Sequence, residues 1–146
     1  MACEITIEDI KVEDFTSLTG LLGELGYPSA PENVTDRLNK IMNDSNFKTF
    51  VAETNGKVVG FIGLCKSYAY EKNGCYVRIV ALVVNEQYRN CGIGTKLINS
   101  AEKWANDEGA FAIGLASGIQ RKEAHAFYSN RGYIIQNKEY YFWKSL

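Results

Sequence analysis

Apolar and polar positions change rhythm along the chain, and each rhythm predicts an element. Cys3 to Glu8 alternates with the period of two that marks a strand. From Val12 to Leu25 the spacing lengthens to that of a helix, with Phe15, Leu18, Leu21, Leu22 and Leu25 turned inward. Gly26-Tyr27-Pro28-Ser29 breaks the pattern, and Pro31 suits the first turn of a second helix that reaches about Met42. Phe47 to Glu53 and Lys57 to Tyr68 read as strands joined by Asn55-Gly56, the strongest short hairpin signal in the chain. A polar turn from Tyr70 to Gly74 leads into Val77 to Val84, a β-branched, apolar run that reads as a buried strand.

The second half continues the alternation of strand and helix. Asn85 to Tyr88 is polar, Gly92 and Gly94 follow, and a helix then carries Ile93, Leu97, Ile98, Ala101, Trp104 and Ala105 on one face as far as Asp107. Ala110 to Ala116 is another apolar strand, and a fourth helix from Gln120 to Asn130 stops at Arg131-Gly132. Tyr133 to Gln136 and Tyr140 to Lys144 read as closing strands. The pattern predicts an α/β (α+β) fold: a mixed sheet of seven strands with four helices on both faces. No internal repeat or linker interrupts it, so residues 1–146 read as a single domain.

Composition narrows the function. The chain has 146 residues and a formal net charge of −1, which argues against a nucleic-acid module, since that would show a basic excess. No apolar run approaches membrane-spanning length, and the N-terminus lacks a signal-peptide pattern. Cys3, Cys65, Cys75 and Cys91 show no C-x-x-C spacing and read as reduced thiols of a cytoplasmic protein. His125 is the single histidine, which excludes a multi-histidine metal site.

Candidate chemistry gathers where the strand at 77–84 passes through Arg89-Asn90-Cys91-Gly92-Ile93-Gly94-Thr95 into the long helix. A glycine turn at a helix start aims unpaired amides and the positive end of the helix dipole at one point, a natural anion site. It is not a Walker loop, because Gly94-Thr95-Lys96 has the required residue types in the wrong order. Nor is it a dinucleotide fingerprint, because the third glycine position is Leu97. The pair also suits a plain strand-to-helix turn.

What remains, Arg-x-x-Gly-x-Gly preceded by Leu82-x-Val84, resembles the acyl-CoA loop of the GNAT superfamily of N-acetyltransferases. A second stretch, Ala124 to Tyr133, resembles that family's helix with a tyrosine four residues after an alanine and then a Gly-aromatic pair. Glu86 stands where the family often has proline, Asn90 where it often has glycine, and Arg121 where many members have an asparagine on the cofactor arm. The resemblance implies splayed central strands in a mostly antiparallel sheet and acetyl-CoA as the acetyl donor. It implies cofactor contacts from Leu82, Val83, Val84, Arg89, Asn90, Cys91, Gly92, Ile93, Gly94, Thr95, Arg121, Phe127 and Tyr128. It assigns Leu82 N–H to the thioester oxygen and Tyr128 to the departing thiolate. A packed aromatic with its hydroxyl at the surface is the plainer role for Tyr128.

Acetyl transfer to an amine also needs the amine neutral. A lysine-like amine is uncharged only about once in 10³ to 10⁴ molecules at pH 7, a handicap of about 4 to 5 kcal/mol. Many members place a glutamate just before the Leu-x-Val pair, and here that residue is Ala81. Glu24, Glu71 and Glu86 are substitutes without a supporting pattern, and each reads first as a solvated carboxylate. His125, three residues before Tyr128, reads first as an ordinary surface histidine, and Cys91 as a spacer whose backbone matters. Walls for the acceptor are expected from Glu24, Leu25, Tyr27, Tyr68 and Tyr76, with Tyr70 beside them. The expected partner is therefore a small-molecule amine or an exposed peptide amine, with no nucleic acid, membrane or metal. A homodimer is the assembly common in the family. The competing expectation is a coenzyme A-binding sensor without turnover; a nucleotide-binding domain is remote after the failed loop tests.

Overall fold

The computed structural model describes residues 4–146, so Cys3, the first residue of the predicted opening strand, lies outside them. The chain forms two compact units, one ending at Ile113 and the other running Gly114–Leu146.

The first unit holds β1 (Thr6–Asp9), α1 (Phe15–Leu25), α2 (Pro31–Met42), β2 (Phe47–Thr54), β3 (Lys57–Tyr68), β4 (Cys75–Val84) and α3 (Ile93–Asp107). β1 to β4 pair antiparallel in chain order. A two-residue β5 (Ile113–Gly114) lies next to β4. Phe111 N–H donates to Cys75 O at 2.9 Å and Val77 N–H to Ala112 O at 3.0 Å. The partner numbers rise together, so this edge is parallel and the sheet is mixed.

Local chemistry sets the boundaries. Asn55 (φ 51°) and Gly56 (φ 74°) take the two positive angles of the predicted hairpin turn. Pro31 opens α2, where its missing N–H costs nothing. α1 is preceded by a short 3-10 turn over Val12–Asp14, in which the buried Asp14 carboxylate accepts Lys11 N–H at 2.9 Å.

Both faces of the sheet are covered. Phe15, Leu18 and Leu21 of α1 and Val34 and Leu38 of α2 close over Val51, Val58, Phe61 and Val83. Leu22 and Leu25 pack at the margin of that cluster. Gly60, the strand neighbour of Phe61, faces the other way. A Cβ there would stand 2.9 Å from Val83 O and 3.4 Å from Ile93 Cγ2, so the missing side chain lets α3 lie close on the sheet. Ile93, Leu97, Ile98, Ala101 and Ala105 are buried as predicted, and Trp104 is half-buried.

The second unit contains α4 (Lys122–Ser129) and a tail without regular secondary structure. Neither closing strand is present: among the described residues the sheet has five strands, not seven. Ile134-Ile135 and Tyr140-Tyr141-Phe142-Trp143 are consecutive apolar residues rather than alternating ones, so no face is singled out for burial, and all six are exposed. Strand propensity describes a fit to a paired, half-buried surface, and these residues have no ladder. The strand predicted at Ala110 to Ala116 shrinks to Ile113–Gly114 for a related reason, being rich in alanine and glycine.

Candidate active site

The candidate groups of the first unit are main chain. Gly63 lies opposite Ala81 and Leu64 opposite Ile79, which leaves Val80 as an extra residue, a β-bulge in β4. Beyond it Asn85 N–H donates to Val59 O at 2.7 Å, continuing a register in which Val84 faces Gly60 and Val83 faces Phe61. Bonded and non-bonded pairs alternate along an antiparallel ladder. Asn85, Val83 and Ala81 therefore aim their main-chain groups at β3, whereas Leu82 and Val84 aim theirs at the opposite edge. The ladder on that edge begins at Cys75 and, with β5 only two residues long, ends before Leu82. Two amides, two residues apart, thus point from β4 toward a side where its strand pairing has run out. Val83 differs from its neighbours, with its side chain in the core and its amide in the sheet.

The loop that follows is shaped by two left-handed residues. Glu86–Tyr88 form a 3-10 turn capped by Asn85, whose Oδ1 accepts Gln87 N–H at 3.0 Å. Arg89 is extended, Asn90 has φ 66° and Gly92 φ 77°. Asparagine tolerates this region better than other side chains do, which explains Asn90 where glycine is common. The first bond of α3 is Lys96 N–H to Gly92 O at 3.1 Å, so the amides of Ile93 and Gly94 precede the intrahelical ladder, and no side chain caps Gly92. Thr95 completes this first turn, half-buried. Nothing lies within 4 Å of where a Cβ on Gly92 would stand. That side of the turn is open, and amides at the positive end of a 15-residue helix suit a diphosphate. Arg89, Asn90 and Cys91 are exposed in the loop, while the Ile93 side chain is buried.

The predicted acceptor residues fall into two places. Glu24, Leu25 and Tyr27 stand at the end of α1, where Gly26 (φ 105°) turns the chain. Glu24 accepts Glu86 N–H at 3.2 Å and Asn85 Nδ2 at 3.4 Å, which brings this end of α1 to the turn after β4. Tyr68 and Tyr76 are at the far end of the β3–β4 hairpin, six residues or about 20 Å along β4 from Leu82. Tyr27, Tyr68 and Tyr70 are exposed, and Tyr76 packs on Phe111 with ring centroids 6.1 Å apart.

The second unit carries Tyr128, the side chain expected to act as acid. Tyr128 is held by a helix-ending motif: Tyr133 N–H and Arg131 N–H donate to Tyr128 O, Gly132 N–H donates to Ser129 O, and Gly132 takes φ 87°. Its ring lies edge-on to Phe127 at 5.2 Å and to Tyr133 at 5.8 Å. The Arg131 guanidinium sits 3.7 Å over the Phe127 ring and donates to Phe127 O at 2.7 Å, locking that neighbour. Burial raises the Tyr128 phenol above its ordinary pKa, and the positive charge of Arg121 offsets part of the rise. The phenol is therefore protonated throughout the neutral range. His125 Nε2 contacts Gly118 O at 2.8 Å, the same carbonyl that takes Arg121 N–H, so its ring braces the turn leading into α4.

Two residues that shape the site, Gly60 and Asn85, are not singled out by the sequence pattern. A lone glycine inside a strand is the available signal for the first, and an asparagine directly before a turn for the second. Among the described residues no group of histidine, cysteine and carboxylate side chains gathers as a metal site, and no helix is long and apolar enough to cross a membrane.

The chain belongs to the acetyltransferase (GNAT) family, whose model matches residues 7–133, and is an acyltransferase that takes acetyl-CoA as donor. It is 28% identical over 126 residues to the uncharacterized N-acetyltransferase YhdJ of Bacillus subtilis, covering 86% of this chain and 88% of that protein. It is 36% identical over 90 residues to the aminoalkylphosphonate N-acetyltransferase of Salmonella typhimurium, covering 62% of this chain and 58% of that one. Among solved structures, a GNAT family acetyltransferase from Staphylococcus aureus matches with a TM-score of 0.82 at 30% identity, covering 97% and 98% of the two chains.

Proposed function

We propose that the protein transfers the acetyl group of acetyl-CoA directly to a primary amine, on a small molecule or an exposed peptide amine, without an acyl-enzyme. The observation that carries this reading is the bulge at Val80, which turns Leu82 and Val84 N–H toward the open edge of β4. The loop amides from Arg89 to Thr95 would hold the cofactor diphosphate, and Val84 would pair with its pantetheine arm. Acetyl-CoA supplies an activated thioester when bound. Leu82 N–H donates to its carbonyl oxygen as negative charge develops there, a role that a fixed amide fills without reorganising. Tyr128 would give the departing sulfur a proton as the new C–N bond forms and the C–S bond breaks, and the proton the amine loses would return to the phenolate or pass to solvent. The first transfer is uphill by about 2 kcal/mol from ordinary pKa values and by somewhat more here, since burial raises the phenol.

The residue before Leu82 argues for one acceptor property. Ala81 is partly buried against the core formed by α1, α2 and the sheet, so β4 offers no carboxylate there to take the amine proton. Amines that are substantially neutral at pH 7 are then favoured over lysine-like ones. Similarity to an aminoalkylphosphonate N-acetyltransferase supports placing small amines first in the search.

The test is release of coenzyme A thiol in the presence of aminoalkylphosphonates, polyamines, aminoglycosides, amino acids and short peptides. Saturable turnover with one class supports the enzyme and names its acceptor. Tight acetyl-CoA binding with no turnover on any amine would instead support a coenzyme A sensor.

A further inference from the structure

Glu24, at the end of α1, reaches the turn after β4, sixty-two residues further along the chain. One carboxylate oxygen accepts Glu86 N–H at 3.2 Å and the other accepts Asn85 Nδ2 at 3.4 Å. The remaining polar atom of the Asn85 side chain, Oδ1, is taken by Gln87 N–H at 3.0 Å. The two side chains together satisfy consecutive amides at the start of the 3-10 turn, which have no partner within it. A negative carboxylate also suits the positive end of that turn.

We propose that Glu24 is a positioning residue for the cofactor loop. It ties the acceptor-side end of α1 to the turn that delivers Arg89 to Thr95, and so fixes where the loop amides stand. This rests on reading that loop as the diphosphate site. A role as cation partner for the acceptor predicts something different, because positioning depends on two hydrogen bonds and cation binding on the charge alone.

The polarity of the tie gives a specific experiment. In Glu24→Gln one oxygen still accepts Glu86 N–H, but the amide nitrogen meets Asn85 Nδ2, donor against donor. In Asn85→Asp two carboxylates meet instead. The double variant Glu24→Gln/Asn85→Asp restores both bonds with the polarity of one reversed. The carboxylate introduced at position 85 then accepts from the amide introduced at position 24 and from Gln87 N–H. Glu24→Ala and Asn85→Asp are each expected to raise KM for acetyl-CoA about five- to tenfold, while kcat and the amine KM stay within about twofold. The double variant recovers acetyl-CoA KM to within about threefold of the unaltered protein.

Amide hydrogen exchange at Glu86 reports the tie without reference to any ligand and should quicken in Glu24→Ala. Quickened exchange with unchanged acetyl-CoA KM would overturn the positioning role, as would a Glu24→Ala defect confined to the amine KM. Loss of the loop reading itself would show separately, as a Gly92→Val protein that still binds coenzyme A normally.

Discussion

The stretch from β4 through α3 and the stretch from Lys122 to the C-terminus offer their candidate groups by opposite means. α3 buries five residues, and the loop before it presents backbone amides whose positions are set by a ladder, a bulge and two left-handed residues. α4 buries none and presents a side chain, Tyr128, bracketed by its own helix neighbours. A cofactor common to a family can be met by main-chain N–H groups, which no substitution other than proline deletes. A proton donor needs a particular functional group, and one substitution removes it.

The contrast is broken most forcefully at Gly92. A β-branched residue at φ 77° is a conformational outlier, and its side chain would project into the open space beside the turn. Gly92→Val is expected to weaken coenzyme A binding by more than about 100-fold, measured calorimetrically, while the far-UV spectrum is retained. Unimpaired affinity would place the phosphates elsewhere.

In the second unit, Tyr128→Phe removes one oxygen and leaves the ring stack in place. It should lower kcat by about 10²-fold with coenzyme A affinity nearly intact. The pH profile sharpens this. Because burial moves the phenol up, the acid form persists beyond pH 10, its ordinary midpoint, and any fall in kcat from its ionisation lies above that value. That limb should vanish in the phenylalanine variant. Equal activity of the two proteins would remove Tyr128 from the chemistry.

Gly60→Ala tests how the first unit is held. The new methyl meets Val83 O at 2.9 Å, a backbone atom that cannot swing aside. A stability loss of about 1 to 3 kcal/mol by urea denaturation is expected, with weaker cofactor binding as α3 is lifted from the sheet. An unaltered midpoint would show that the sheet yields freely there.

The smallest effect belongs to the tail. Phe142 is 92% exposed, so Phe142→Ser should change stability by less than about 0.5 kcal/mol. A drop of many degrees in Tm would mean that the aromatic run is paired after all.

These differences also separate what is legible in the sequence from what is hidden there. The bounds of α2 and β3 are legible because Pro31 and Asn55-Gly56 have few conformational choices. The glycine loop is legible for the same reason. The bulge at Val80 is not, since an extra residue within an apolar run leaves the pattern of a buried strand intact, and it can be expected only from the family resemblance. The two closing strands fail because propensity cannot supply a pairing partner. Glu24 stands out in the sequence only as a charge near the acceptor. Its hydrogen bonds to Asn85 and Glu86 join residues too distant in sequence for any local pattern to show.

The central claim is that coenzyme A is received by main-chain hydrogens of β4 and the loop after it. Titrating the isotope-labelled protein with coenzyme A and following its backbone amides by NMR tests that most directly. Large shifts should gather at Leu82, Val84 and Cys91 to Gly94, with little change at Val83, whose amide is spent on β3. Shifts concentrated elsewhere, with those residues unmoved at saturation, would contradict the account.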